Sequence, residues 1–391
     1  MKLALVIPGG VDRSGQERVI PVLLWLIERL ARQHTVHVFA LHQYPDPCDY
    51  KLLGAHIHNV GQPKSLPKLR LIQQYHQFID RVKQTERQVG HFDCFHGFWA
   101  GSTGLFAGLA AHRYHAPCLV SLMGGEVIAL PEINYGMQCH WRSRLLVRWS
   151  TRLASQVTVA TQYMQALANQ HHIRSEIVPL GADRHIVLDN RPMLRTDSPK
   201  HLLHVASLNQ VKDQPTLLRA MRRIVDTRSD VHLDIVGEDT LHGAMQRLCN
   251  ELRLNGQVTF HGFRNQNDLR PFYQMADLLL LPSRHDAAPI VVLEAALHGV
   301  PTIGSAVGYV ADWAPKRAQA IPIGDDVALA ATTLTLLAND SERIRIGQHA
   351  RDWAQTYDAD WTAQQFEIRY RTLSTITDFP HRVDSSNPPG L

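Results

Sequence analysis

The sequence predicts an α/β protein made of two doubly wound domains, each with a parallel sheet. The chain has 391 residues, long for one domain and suited to two. Strand-like and helix-like runs alternate up to about residue 180, and the alternation restarts near 201. Between them, residues 179–200 are rich in proline and polar residues and break the pattern, so they read as a linker.

In the first half, residues 2–7 read as a strand. Val19, Leu23, Leu26, Ile27 and Leu30 recur at helical spacing within a helix expected over 16–33. A strand over 35–41 and a long polar helix over 66–88 follow. Further strands fall near 93–97, 117–122 and 156–160, with helical stretches between them. In the second half, strands are expected at 201–206, 231–236, 257–261, 277–281 and 300–303. Helices are expected at 212–228, 241–254, 266–275 and 289–298, then near 325–337, 341–356 and 360–376. The tail from Asp378, with its Ser-Ser-Asn-Pro-Pro-Gly run, is expected to be disordered. The domain reading is therefore 1–180, 181–357, a closing helix over 358–377 and a tail over 378–391.

Composition excludes several classes. Hydrophobic residues make up 45% of the chain, enough for sizeable cores, yet no run of 18 apolar residues occurs. The apolar start, Met1 to Gly10, is too short for a signal peptide and lacks a cleavage site. Five scattered cysteines without a C-x-x-C pair suit a reducing cytosol, so the expected location is cytoplasmic. A net charge of +4 with no aromatic-interleaved basic run gives no case for nucleic acid. The 23 histidines are dispersed and no H-E-x-x-H occurs, so no metal site is expected. Neither domain's first strand is followed by G-x-G-x-x-G. The second strand ends Phe39-Ala40-Leu41-His42, without an acid for a dinucleotide ribose, which speaks against oxidoreduction.

Residues 278–303 carry the most information. Leu278 to Leu281 read as a buried parallel strand. A polar turn follows, Pro289 opens a helix, and Gly299 stops it. Asp286 then lies in the loop beyond a strand's C-terminal end, and Glu294 about one turn inside the next helix. Ligands of open α/β sheets bind at that edge. The free N–H groups of the helix start suit a diphosphate, which puts Ala288, Pro289 and Ile290 beside the donor.

This spacing resembles the E-x7-E signature of the retaining GT-B glycosyltransferases of family 4. The resemblance implies two Rossmann-like domains facing across a cleft. The nucleotide would lie on the second domain and the acceptor on the first, with the last helix crossing back. It implies that Asp286 sits against the donor sugar and Glu294 on the ribose hydroxyls; Asp286 is one methylene shorter than the usual Glu. The entry to the second domain, Leu203 to Asp213, resembles the family's diphosphate-holding segment. Lys212 matches its Lys, while Ser207 stands where the family has Arg. Arg284 is a candidate to supply the missing cation. The resemblance also assigns a strand-end turn to Gly237 and a base-binding turn to Phe263 and Arg264. The loop Gly9 to Arg18 resembles the first-strand glycine loop, with Gly15, Glu17 and Arg18 matching and Ser14 in place of a glycine. The resemblance implies backbone N–H groups at Gly15 that approach the donor phosphate, and Glu17 on the acceptor side.

Val120 to Val127 resembles the stretch that carries the family's His-Gly pair. Met123 replaces the His; Gly124, Gly125 and Glu126 fall on the acceptor side. His96, at the end of another first-domain strand, is read as facing the cleft and contacting sugar or acceptor. Equally, it is a histidine that caps a strand. Lys212, Asp286 and His96 are thus the catalytic candidates.

Trp141 to Arg152 forms a basic helix with Arg144, Arg148 and Arg152 in one stripe and a tryptophan near each end. It reads as a solvated face, or as a peripheral contact with anionic lipid at the inner face of a membrane. The expected activity is transfer of a hexose from a UDP-, GDP- or ADP-sugar to a glycan, lipid-linked or small-molecule hydroxyl. No metal or other cofactor is expected. The alternatives are a sugar-nucleotide epimerase and a non-catalytic sugar-nucleotide binder, the latter motivated by Ser207, Met123 and Asp286.

Overall fold

The structure is a computed structural model, and it describes residues 1–63, 69–187 and 199–376. Half of the expected linker, residues 188–198, and the whole expected tail lie outside the described residues. Two sheets organise the chain. The first has the order β3-β4-β2-β1-β5-β6-β7-β8. Its strands are β1 (Lys2–Ile7), β2 (Thr35–Ala40), β3 (Cys48–Leu52), β4 (Ala55–Asn59), β5 (Cys94–Phe98), β6 (Cys118–Leu122), β7 (Gln156–Val159) and β8 (Glu176–Ile177). All pairings are parallel except the β3–β4 hairpin at the edge. The helices of this half are α1 (Pro21–Ala31), α2 (Arg70–Val89), α3 (Ser102–Arg113), α4 (Trp141–Leu153) and α5 (Gln162–Gln170).

The second sheet has the order β11-β10-β9-β12-β13-β14 and is parallel throughout. Its strands are β9 (Lys200–Val205), β10 (Val231–Val236), β11 (Val258–Phe260), β12 (Leu278–Leu281), β13 (Thr302–Ser305) and β14 (Ala318–Ile321). Its helices are α6 (Gln214–Thr227), α7 (Ala244–Glu251), α8 (Gln266–Met275), α9 (Ile290–Leu297), α10 (Gly308–Trp313), α11 (Asp326–Leu337) and α12 (Asp340–Thr356). The last helix, α13 (Ala359–Ile376), packs against the first half: Asp360 pairs with Arg29 of α1, and Tyr370 meets His96 of β5.

Strand order fixes where a ligand can sit. The chain leaves β9 toward β10 on one side and returns to β12 on the other, so the direction of winding reverses between β9 and β12. The loops after these two strands diverge and leave a crevice between them. The β12 leucines are fully buried, as expected of a central strand covered on both faces. Each contributes about 1.5–3 kcal/mol relative to exposure, which offsets the roughly 1–2 kcal/mol per residue of backbone ordering. Helix α9 is buried almost all round, so the crevice has a stiff wall.

Several boundaries differ from expectation. The helix expected from Gln16 begins at Pro21, because residues 11–20 form a loop closed by a Val11–Val19 bridge. Arg18 there adopts a positive φ of 47°, which no helix accepts. The β3–β4 hairpin falls in a stretch where the sequence suggested no element. Its strands are edge strands with mixed polarity, and its turn uses Leu53 and Gly54, both at positive φ. The strand expected at 300–303 runs two residues later. Helix α6 starts at Gln214, because Asp213 is left-handed at φ 50°. Lys212 therefore lies in a 3-10 turn and not on the helix.

Candidate active site

The two crevice loops are fastened to each other. Arg284 N–H donates to the Val211 carbonyl at 2.8 Å, and Lys212 Nζ reaches Asp286 Oδ1 at 2.6 Å. Lys212 owes its position to the 3-10 turn, whose capping residue Asn209 accepts the Lys212 N–H on its side chain. The other Asp286 oxygen is buried and has no partner among the described residues. Gly308 lies under this loop at φ +52°; a Cβ there would sit 2.6 Å from the Asp286 carbonyl oxygen. Beneath Ser207, a buried chain fixes the loop backbone: Gln214 Nε2 donates to the Ser207 carbonyl and meets His204, which bonds the Leu280 carbonyl. Burial holds His204 neutral, with its pKa lowered to about 4.

Arg284 does not supply the cation missing at Ser207. Its guanidinium lies 3.4 Å from Asp213 and 3.4 Å from Glu132, so two acids already hold it.

Beside this pair is a cavity of about 340 Å³ between the two halves of the molecule. Six of the second-half residues singled out from sequence line it: Ser207, Gly237, Phe263, Arg264, Ile290 and Glu294. Gly237 is required by close approach, since a Cβ would fall 1.9 Å from the Ala206 carbonyl oxygen. Phe263 is 56% exposed at the rim, leaving its ring face open. The first half contributes Gln16 and Arg18 to the wall. Asp286, Lys212, Ala288 and Pro289 stand outside this lining.

Glu294 is the only acid of α9 and is 2% exposed. Its carboxylate accepts from the Tyr273 hydroxyl at 2.6 Å and from Gln266 Nε2 at 2.7 Å. Burial pushes its pKa up, against the pull of these two donors. Sequence reasoning missed both partners. They stand seven apart on α8, two turns on one face, and that spacing was the available signal.

Three first-half expectations are corrected. His96 does not face the cleft: it is 1% exposed under α13, with Tyr370 Oη at 2.7 Å and Ser121 Oγ at 2.8 Å. Its pKa is lowered to about 3 by burial, and it touches no candidate donor residue. Glu126 is buried and spends its carboxylate on the N–H groups of Met123, Gly124 and Ala100. It shapes the loop and presents no free oxygen to an acceptor. The glycine loop holds no open anion cradle. Gly10 and Val11 N–H bond Gln43, Ser14 N–H bonds Asp12, and Gln16 and Glu17 N–H bond Ser14 Oγ. Gly15 N–H closes a turn on the Asp12 carbonyl at φ +66°, and Glu17 is exposed.

A clasp between the halves was not legible beforehand. His285 Nε2 lies 3.2 Å from the Gly124 carbonyl, and its Nδ1 3.0 Å from Tyr163 Oη. A carbonyl only accepts, which places the proton on Nε2 and makes Tyr163 the donor to Nδ1. Gly125 packs beside, its Cβ position 3.1 Å from Tyr135. Thr161 Oγ1 donates to the Ala287 carbonyl, and Asp312 accepts the first two N–H groups of α5. The residues on both sides of Asp286 are thus held by the opposite half. Among the described residues no cluster of His, Cys, Asp or Glu is arranged to hold a metal ion, and no helix is long and apolar enough to cross a membrane.

Comparison with known proteins agrees with this geometry. The family described as "Glycosyl transferases group 1" matches residues 189–353, and the "Glycosyl transferase 4-like domain" matches residues 19–181. The chain is 25% identical over 291 residues to a D-inositol 3-phosphate glycosyltransferase of Arthrobacter sp. (strain FB24). That match covers 68% of this chain and 66% of the relative's length. Sucrose-phosphate synthase from Thermosynechococcus elongatus shares the fold at a TM-score of 0.77 and 21% identity, covering 96% of this chain and 100% of that one. Anabaena Alr3699/HepE, solved in complex with UDP-glucose, matches at a TM-score of 0.71 and 18% identity, covering 95% and 100%.

Proposed function

This chain belongs to the group 1 glycosyltransferases and has the GT-B fold, and on that premise we propose that it transfers a hexose, with retention, from a nucleotide-diphosphate sugar to an acceptor hydroxyl. The observation that carries the reading is the convergence of Lys212, Asp286 and the start of α9 where the winding of the second sheet reverses.

The nucleotide fits the cavity of about 340 Å³, with its base beside Phe263 and Arg264 and its ribose toward Glu294. A ribose hydroxyl bonds Glu294 by replacing Gln266, while Tyr273 keeps the second oxygen fixed. The diphosphate lies over the N–H groups of Ile290 and Val291, where the helix dipole favours negative charge. Lys212 then exchanges Asp286 for a phosphate oxygen, and Asp286 takes a sugar hydroxyl. The bond from the anomeric carbon to phosphate oxygen breaks, and the charge left on the diphosphate is stabilised by Lys212. The acceptor oxygen joins the anomeric carbon from the same face, and its proton passes to the leaving diphosphate. The reading calls for no metal ion, since cationic and dipolar groups of the chain take the developing charge.

A thermal-shift series with UDP-, GDP- and ADP-hexoses and the free diphosphates tests it. A ligand that binds only the folded state raises the melting temperature. One nucleotide is expected to do so in the native chain and not in Glu294→Ala. No shift with any of them would sink the proposal.

A further inference from the structure

Helix α4 has an outward face that neither fold nor transfer chemistry requires. Its inward side is fixed: Val147 is 2% exposed, and Ser150, fully buried, donates to the Gly101 carbonyl at 3.0 Å. The opposite side presents Trp141, Leu145 and Trp149, which are 65%, 43% and 52% exposed. Spacings of four place them in one ridge. The chain has seven tryptophans, and these two alone are exposed, both on this one helix. Burying a tryptophan is among the larger apolar gains available to a side chain, so leaving two on one ridge calls for something to cover them.

The ridge is bordered by charge of one sign. Arg144, Arg148 and Arg152 run along one flank and Arg142 along the other, its guanidinium 5.3 Å from the Trp141 ring. None of the four pairs with an acid among the described residues, whereas Arg29, Arg81, Arg223, Arg345 and Arg371 elsewhere all do. Residues 133–175 contain no Asp or Glu at all. Beside the ridge, Arg144, Arg148, Arg152, His171 and His172 line a hollow of about 400 Å³. A solvated face explains arginines, and it does not explain arginines without acids around exposed tryptophans.

We propose that α4 is a docking surface for an anionic lipid bilayer. The helix lies in the interface plane, with Trp141, Leu145 and Trp149 at the headgroup–acyl boundary and the arginines on lipid phosphates. Charge selects the partner and the apolar ridge selects a membrane over nucleic acid, since a phosphate backbone gives no apolar boundary for three aligned side chains. The placement also bears on the acceptor. α4 follows directly on the segment 123–140, which crosses to the second half through Gly124 and Glu132. Docking α4 therefore brings the first-half side of the cleft down to the bilayer, where a lipid-linked hydroxyl is presented.

Vesicle co-sedimentation of the full chain tests this without donor or acceptor, so it fails or stands separately from the transfer reading. The chain is expected to bind phosphatidylcholine vesicles containing phosphatidylglycerol, more weakly at high salt, and not phosphatidylcholine alone, with a blue shift of tryptophan emission. Trp141→Ser with Trp149→Ser, and separately Arg148→Glu with Arg152→Glu, are each expected to lower partitioning by at least about tenfold. Both should keep the native circular dichroism spectrum, and Arg247→Glu on the second half should change nothing. Absence of binding to anionic vesicles, or binding that survives both double variants, overturns the proposal. So does a homodimer in light scattering that the tryptophan variant dissolves, or binding to single-stranded RNA in the absence of any binding to vesicles.

Discussion

Lys212 Nζ and Asp286 Oδ1 stand 2.6 Å apart across the crevice, a cation and an acid that neutralise each other before any substrate arrives. An exchange is built into such a pair: the lysine is released only when the acid finds another donor, such as a sugar hydroxyl. Asp286→Ala should therefore leave Lys212 free and keep or tighten binding of the free nucleotide diphosphate, while turnover collapses. Lys212→Ala should reduce kcat on the order of a hundredfold, the scale of removing one charge-stabilising group. Calorimetric titration beside steady-state kinetics separates the two. If Asp286→Ala loses diphosphate binding as well, the exchange is wrong.

Glu294 depends on Tyr273. Its carboxylate is 2% exposed and receives the tyrosine hydroxyl at 2.6 Å. Tyr273→Phe leaves one buried oxygen without its donor, which costs about 1–3 kcal/mol. The melting temperature should fall, and donor KM should rise more than kcat falls, because the tyrosine holds the acid that the proposed reading puts on the ribose and touches no reacting bond. An unchanged melting temperature would mean that water or Gln266 replaces the hydroxyl at no cost.

What the sequence disclosed and what it hid divide along one line. The β12 leucines, Pro289, Glu294 and Gly299 lie within one strand-turn-helix unit, where local pattern and final structure agree. His96 looked like a cleft residue because its strand ends at the cleft edge. It is sealed by Tyr370, which is 274 positions away, and no local pattern reports such a contact. The glycine loop misled for a related reason. Glycine content was visible, but Gln43, Asp12 and Ser14 had already taken its N–H groups. The clasp at His285 was hidden because its partners come from the opposite half.

Buried histidines set a pH dependence. Burial lowers His204 to about 4 and His96 to about 3, while the unfolded chain titrates near 6.5. Between those values the unfolded chain binds a proton that the folded chain refuses. The contribution of these two histidines is therefore complete above about pH 6.5 and falls as pH drops toward 4, by about 2 kcal/mol for each at pH 5. Urea unfolding at pH 7, 6 and 5 should show the decline. His96→Gln should flatten the slope by roughly one histidine's share, even if the variant is less stable throughout. An identical slope would show that other groups carry the dependence.

The clasp around Asp286 makes a prediction about domain closure. Asp312 accepts the N–H groups of Gln162 and Tyr163 at 2.7 and 3.0 Å, so one residue of the second half caps a helix of the first. Burial raises the Asp312 pKa despite those two donors, so the group is costly to place there unless the halves are together. Asp312→Ala removes a helix cap, worth about 0.5–2 kcal/mol, and with it a tie that keeps the halves closed. Thr161→Val removes the neighbouring bond to the Ala287 carbonyl, next to Asp286 itself. The double variant should scatter X-rays as a more open particle and should lower kcat, because Asp286 loses its fixed backbone. Donor affinity should change little, since the cavity-lining residues of the second half are untouched. A more compact or unchanged scattering profile would show that the clasp follows closure and does not hold it.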